Sequence, residues 1–200
     1  MALWRRRPPV IPGAEIGRLE DETTLDRETG AVMSRQAGDI VLPAEAIKGL
    51  WDPEHLERVA RTYWTTLQRF SFGLIHVHYT EGERAVVFLV PQLRLLTFKA
   101  PEYETDACRG IVRWRIERGL LVSRRGEGGD GYLEIDIRRH DEAERGKVRL
   151  RVTVEVANYY PRLGGLSRRV YSATQSRIHV ISCNYFLRRL VRRDLSRPRS

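Results

Sequence analysis

Val148-Arg149-Leu150-Arg151-Val152-Thr153-Val154-Glu155-Val156 is the stretch that decides the fold. Its apolar residues occupy every second position and Arg149, Arg151, Thr153 and Glu155 fill the rest. Side chains of a strand alternate between faces, so one face of this strand is core and the other is wet. The same period runs through residues 72–157. Ile75, Val77 and Tyr79 alternate with Leu74, His76 and His78. A Glu81-Gly82-Glu83 turn leads into 84–90, Pro91 interrupts, and 93–98 continues. Val112, Trp114 and Ile116 alternate with Arg113, Arg115 and Glu117, and Leu133, Ile135 and Ile137 with Glu134, Asp136 and Arg138. Such runs predict an antiparallel sheet with a single covered side. A hairpin over loop 139–147 would set Asp136 opposite Arg149 and Glu134 opposite Arg151. Each such pair contributes about 0.2–1 kcal/mol, so the outer face needs no ligand to explain it.

Two helices flank the strands. Asp52 suits an N-cap, with Pro53 at the first helical position and Glu54 and Glu57 where they complement the dipole. Leu56, Val59, Ala60, Tyr63, Leu67 and Phe70 then form one buried face, ending near Phe70. After Tyr159-Tyr160-Pro161 and Gly164-Gly165, the spacing predicts a second helix over 166–193. Val170, Tyr171, Thr174, Ile178, Ile181 and Tyr185 lie on one face, and Val180, Cys183, Leu187 and Leu190 on a second flank. At 1.5 Å per residue this helix spans roughly 40 Å. Beyond Leu187, arginines take over the first stripe, so the helix is expected to leave its groove there. Residues 1–38 mix arginine, acids, proline and glycine without sustained periodicity. The expected division is an N-terminal arm over 1–38, a domain over 39–193 and a basic tail over 194–200. Inside that domain, 38–42 reads as a short strand and 43–50 as a short helix.

With 42% hydrophobic and 30% charged residues, the chain can build a sizeable core. Two cysteines, Cys108 and Cys183, are too few for a disulfide framework, and a reduced cytoplasmic protein is the simplest expectation. No run of 18 apolar residues exists, and the start lacks the apolar core of a secretory signal. The net charge of +9 sits entirely in residues 162–200, since residues 1–161 balance. Lysine occurs only three times, so arginine takes its place throughout and its count alone is no signature of phosphate recognition.

Gly126-Glu127-Gly128-Gly129-Asp130-Gly131 matches a phosphate-cradling pattern literally, but a strand follows where such a cradle needs a helix. It reads as a hairpin loop. His76 and His78 share one strand face, and no Cys, Asp or Glu joins them locally, so no metal site is expected. If the domain catalyses a reaction, this pair is the first choice for acid–base work. Neither cysteine has an assignable His–acid partner. Tyr159, Tyr160 and Trp114 read first as core and corner residues. Arg188, Arg189, Arg192 and Arg193 end the second helix, where they complement its dipole. They would also suit an anionic membrane surface, to which the protein would then be peripheral; nucleic acid is disfavoured, since the sheet lacks paired aromatics.

The order of elements over residues 40–193, the strand 148–156 running into a helix, and Gly164-Gly165 at that junction resemble the helix-grip fold of the START, polyketide cyclase and pollen-allergen (SRPBCC-like) superfamily. Residues 110–182 are similar to uncharacterised actinobacterial members. The resemblance implies an α+β fold, a curved antiparallel β-sheet wrapped around a long C-terminal α-helix. It also implies an internal apolar cavity; no cofactor is expected. Trp114, Ile116, Ile135, Ile137, Leu150, Val152, Val154, Thr174, Ile178 and Ile181 would face inward to bind a hydrophobic small molecule or lipid. A cyclase, aromatase or dehydratase acting on an apolar substrate, or an interaction protein whose cavity is filled by its own side chains, are the alternatives.

Overall fold

The computed structural model of the chain describes residues 11–47, 51–80, 82–140, 146–162 and 183–194. Its helix α1 (Pro53–Phe70) starts as the sequence requires: the Asp52 carboxylate accepts a hydrogen bond from the His55 backbone N–H at 2.7 Å. Leu56, Val59, Ala60, Tyr63 and Trp64 are buried along one side of it.

The strands are β1 (Glu15–Ile16), β2 (Glu20–Leu25), β3 (Val32–Pro43), β4 (Ile75–Tyr79), β5 (Glu83–Phe88), β6 (Arg94–Lys99), β7 (Glu102–Thr105), β8 (Arg109–Arg118), β9 (Tyr132–His140) and β10 (Lys147–Tyr159). Among the described residues they form one antiparallel sheet in the order β1-β3-β10-β9-β8-β6-β5-β4. β2 pairs with β3 beside β1, and β7 pairs with β8 beside β6. The alternation read from 148–156 holds: Val148, Leu150, Val152 and Val154 are buried, and the residues between them are half-buried.

Three expectations change. Residues 15–38 are not an arm. β3 pairs with β10 from Pro43↔Lys147 to Ser34↔Val156, and β1 and β2 line its far edge. Gln36, Ala37, Ile40 and Leu42 are buried there, so the domain begins well before residue 39. The β9–β10 register also differs, because both strands run further toward their turn than expected. Arg149 faces His140, Arg151 faces Arg138, and Asp136 faces Thr153. The acids instead bond arginines of β8: Asp136 accepts from Arg109 Nε and Nη2 at 3.0 and 2.9 Å, and Glu134 from Arg113 Nε at 2.6 Å.

Third, α2 covers residues 183–194, with a π-helical last turn, Leu190–Asp194. It does not leave its groove beyond Leu187. Phe186, Leu187, Leu190 and Val191 are all buried, because an apolar flank continues under the arginines. The remainder of the expected helix, with Thr174, Ile178 and Ile181, lies outside the described residues.

Two glycines seat the helices. A Cβ at Gly38 of β3 would stand 2.6 Å from Leu187 Cδ1, and one at Gly110 of β8 would stand 2.8 Å from Leu56 Cδ2. Aromatic edges join the layers: Trp64 meets Trp114 at 5.2 Å, and Tyr63 meets Phe186 at 5.5 Å. Edge-to-face pairs of this kind contribute about 0.5–1.5 kcal/mol beyond their burial.

Candidate functional site

Where α1 crosses the short strands, packing is incomplete. A cavity of about 200 Å³ opens there. Among the described residues it is walled by Tyr63, Trp64 and Leu67 of α1, by Ile75, Val86, Leu95, Leu96 and Phe98 of β4–β6, and by Val32 and Ser34 of β3. Ile116, Leu133, Val156 and Tyr159, with Leu121 of the β8–β9 connection, close it.

The backbone explains the void. β6 pairs with β8 through Thr97↔Arg118 and Phe98↔Ile116 alone, with a bulge between them, and β5–β6 carries another at Val86/Val87. Bulges bend a strand and raise its twist, so regular pairing is interrupted on the side of the sheet where the cavity lies. A third irregularity, between Val156 and Tyr159 where Asn158 has φ +50°, turns Tyr159 inward. Its hydroxyl donates to the Leu121 carbonyl at 2.7 Å, pinning the β8–β9 connection over the cavity.

The wall is apolar apart from hydroxyls and the buried Trp64 indole N–H, which has no hydrogen-bond partner among the described residues. Ser34 Oγ takes a hydrogen bond from Gln36 Nε2 at 3.0 Å. Burial pushes the Tyr63 hydroxyl well above the ordinary tyrosine range. Burial also pushes the Cys183 thiol up to about 12, which keeps it protonated and disqualifies it as a nucleophile. None of the described wall residues carries a carboxylate, imidazole, amine or thiol.

Of the residues expected to bind a ligand, Ile116 lines this cavity. Trp114, Ile135, Ile137, Leu150, Val152 and Val154 do face inward, but they are closed off in the core and are not part of the described wall. The sequence reading missed the α1 and β6 contributors. The adjacent Leu95-Leu96 pair was the available signal, since neighbouring residues of a regular strand point to opposite faces.

His76 and His78 are exposed, opposite the buried Val77. An acid–base role on a ligand in the cavity is therefore excluded for them. Arg188 is exposed and donates to Asn184 Oδ1 at 3.0 Å, while Arg189 and Arg192 are half-buried; the side chain of Arg193 lies outside what is described. Arg188 and Arg192 line an open groove of about 320 Å³ with Ala14, Ile16 and Asn184. The glycine-rich segment 126–131 leads into β9, as a connection between strands should. Among the described residues no group of three His, Cys, Asp or Glu side chains could hold a metal ion. A separate polar network ties α1 to the sheet edge. The Tyr103 hydroxyl donates to Glu57, Arg61 Nε donates to Glu57 at 2.8 Å, and the Arg61 and Arg84 guanidinium groups stand 5.7 and 5.0 Å from the Tyr79 ring centre. Its members satisfy one another, which is a structural role.

No family model matches the chain, and no curated protein matches it. Solved structures similar to it include an NMR structure of a protein from Arthrobacter aurescens, at 13% identity and a TM-score of 0.34, covering 88% of this chain and 92% of that one. The crystal structure of Ara h 8.0201 is similar at 12% identity and a TM-score of 0.31, covering 88% and 99%. CalU16 from Micromonospora echinospora follows at 10% identity and 0.27, covering 93% and 88%. At these TM-scores the likenesses bear on neither mechanism nor ligand. No helix among the described residues is long and apolar enough to cross a membrane.

Proposed function

We propose that this chain is a helix-grip domain that binds a compact hydrophobic molecule between α1 and the β4–β6 side of the sheet. The observation that carries the reading is the 200 Å³ cavity with its nearly unbroken apolar wall. An apolar cavity of about 150 Å³ is enough to take up benzene, while drug-sized ligands occupy roughly 300–1,000 Å³. The expected ligand is therefore of one or two rings, or a short aliphatic chain. Wall composition favours binding over catalysis, because hydroxyls and an indole N–H offer no acid–base pair near neutral pH.

The test is a panel of benzene, indole, naphthalene and short fatty alcohols, read by thermal shift and by the change in tryptophan fluorescence that a Trp64→Phe variant loses. Ligands that bind only the folded state raise Tm with concentration. Ile116→Phe, which fills the cavity from β8, is expected to abolish that rise. A panel that leaves Tm and fluorescence unmoved would overturn the reading.

A further inference from the structure

Immediately outside the cavity the molecule carries large apolar side chains in solvent. Phe72, at 95% exposure, and Leu74 occupy the α1–β4 turn. Leu89, Val90 and Leu93 occupy the β5–β6 turn, and Leu120 the β8–β9 connection. Backbone hydrogen bonds gather the three segments into one end of the molecule: Leu89 N–H to the Leu74 carbonyl at 2.8 Å, and Leu120 N–H to the Arg94 carbonyl at 2.9 Å. Single exposed apolar residues are ordinary, but a cluster on adjoining turns marks an interaction surface.

Phe72 and Leu89 have φ of +54° and +61°. Bulky residues rarely adopt that region, and glycine or asparagine would hold these turns without strain. Strained conformations of this kind gather at functional positions. The strain here keeps two apolar side chains outside the fold.

Charge narrows the partner. No acid occurs in residues 58–80 or 84–101, the stretches that carry the α1–β4 and β5–β6 turns; the acids of the third segment, Glu117, Glu127 and Asp130, lie at least three positions from Leu120. Beside Phe72 lies an open groove of about 470 Å³ lined by Thr65, Gln68, Arg69, Gly73 and His76, with no described carboxylate; the Gly73 N–H and the Thr65 hydroxyl already donate to the Gln68 and Arg61 carbonyls, so Arg69 is its described cation. Arg69 is exposed at its rim. The cavity is also continuous in sequence with these turns, for Ile75, Leu95 and Leu121 of its wall each follow an exposed apolar residue within two positions.

We infer that this end of the molecule docks on an anionic lipid bilayer. Phe72 and Leu89 enter the acyl region, and the Arg69 groove receives a headgroup phosphate. This goes beyond ligand binding and holds whether or not the cavity is occupied. Interfacial docking of this type combines buried apolar area with attraction to anionic lipid.

The experiment is co-sedimentation of the full chain with phosphatidylcholine vesicles, with and without phosphatidylglycerol. The wild-type chain is expected to sediment with the mixed vesicles. Phe72→Asn with Leu89→Asn, which suits the left-handed backbone, is expected to weaken partitioning about a hundredfold, from the burial value of two such side chains. Arg69→Gln is expected to reduce the preference for phosphatidylglycerol about fivefold. Arg188→Ala with Arg192→Ala is expected to change nothing. Failure of the wild-type chain to sediment, undiminished sedimentation of the double asparagine variant, or loss confined to the Arg188/Arg192 variant would each overturn the inference. So would a sedimentation-velocity shift from dimer to monomer in the asparagine variant, which would make this face a contact between copies. Ile116→Phe separates the two readings, since it is expected to end ligand binding and leave vesicle binding intact.

Discussion

The β3–β10–β9–β8 wall and the β4–β6 flap are both made of antiparallel strands that turn apolar residues inward, yet one is solid and the other is hollow. β10 is paired along nearly its whole length on both sides, and every inward residue from Val148 to Val154 is buried. β6 meets β8 through two residue pairs and passes through a bulge. Leu95 and Leu96 are consequently only half-buried, and the cavity lies against them. The difference teaches that hydrophobic patterning decides which residues turn inward, while ladder continuity decides whether they close up.

The sharpest test of that contrast is a matched pair of truncations. Leu150→Ala in the wall leaves a new void among fixed neighbours and is expected to cost about 3–5 kcal/mol in urea unfolding. Leu96→Ala enlarges a void that already exists and removes a partly wetted side chain, so about 1 kcal/mol is expected. Equal losses would mean that the flap is packed as tightly as the wall. Next in size is Asp136→Ala, which strips the acceptor from Arg109 and from Arg138 Nε, 2.9 Å away, on the outer face of the wall. A loss of about 2 kcal/mol is expected, and Asp136→Asn should recover part of it.

A pH series probes the seam between α2 and the sheet. An unfolded chain ionises the Cys183 thiol near its ordinary value of 9.0, whereas burial holds it to about 12 in the fold. Stability from this group is therefore full below pH 9 and falls as pH rises from 9 toward 12. The slope is about 1.4 kcal/mol per pH unit. Cys183→Ala should start from a lower urea midpoint at pH 8 and show a shallower decline to pH 10.5. An unchanged slope would mean that the thiol is wetter than its burial indicates.

Much of this architecture was legible in the residues. Asp52 and Pro53 announce α1, and the alternation over 148–156 announces β10. β3 was hidden because Ser34-Arg35-Gln36-Ala37-Gly38, in its middle, has no apolar alternation. It is held by the ladder to β10 and by Leu187 lying over Gly38, and neither is visible locally. The register was not legible because Asp136 and Glu134 find their arginines on β8, and nothing in the alternation of β9 says which neighbouring strand its charges face. The outward direction of His76 and His78 was readable, since Val77 between them had to be the buried one. The cavity was not readable, because a void follows from bulges and strand ends.

The central ladder also sets a timetable. β3 joins residue 43 to residue 147 through β10, so the wall cannot close until most of the chain has left the ribosome. Long-range pairing of this kind folds slowly and keeps strand edges open meanwhile. During synthesis β1 and β2 can pair one edge of β3 early, while its other edge stays open until β10 follows.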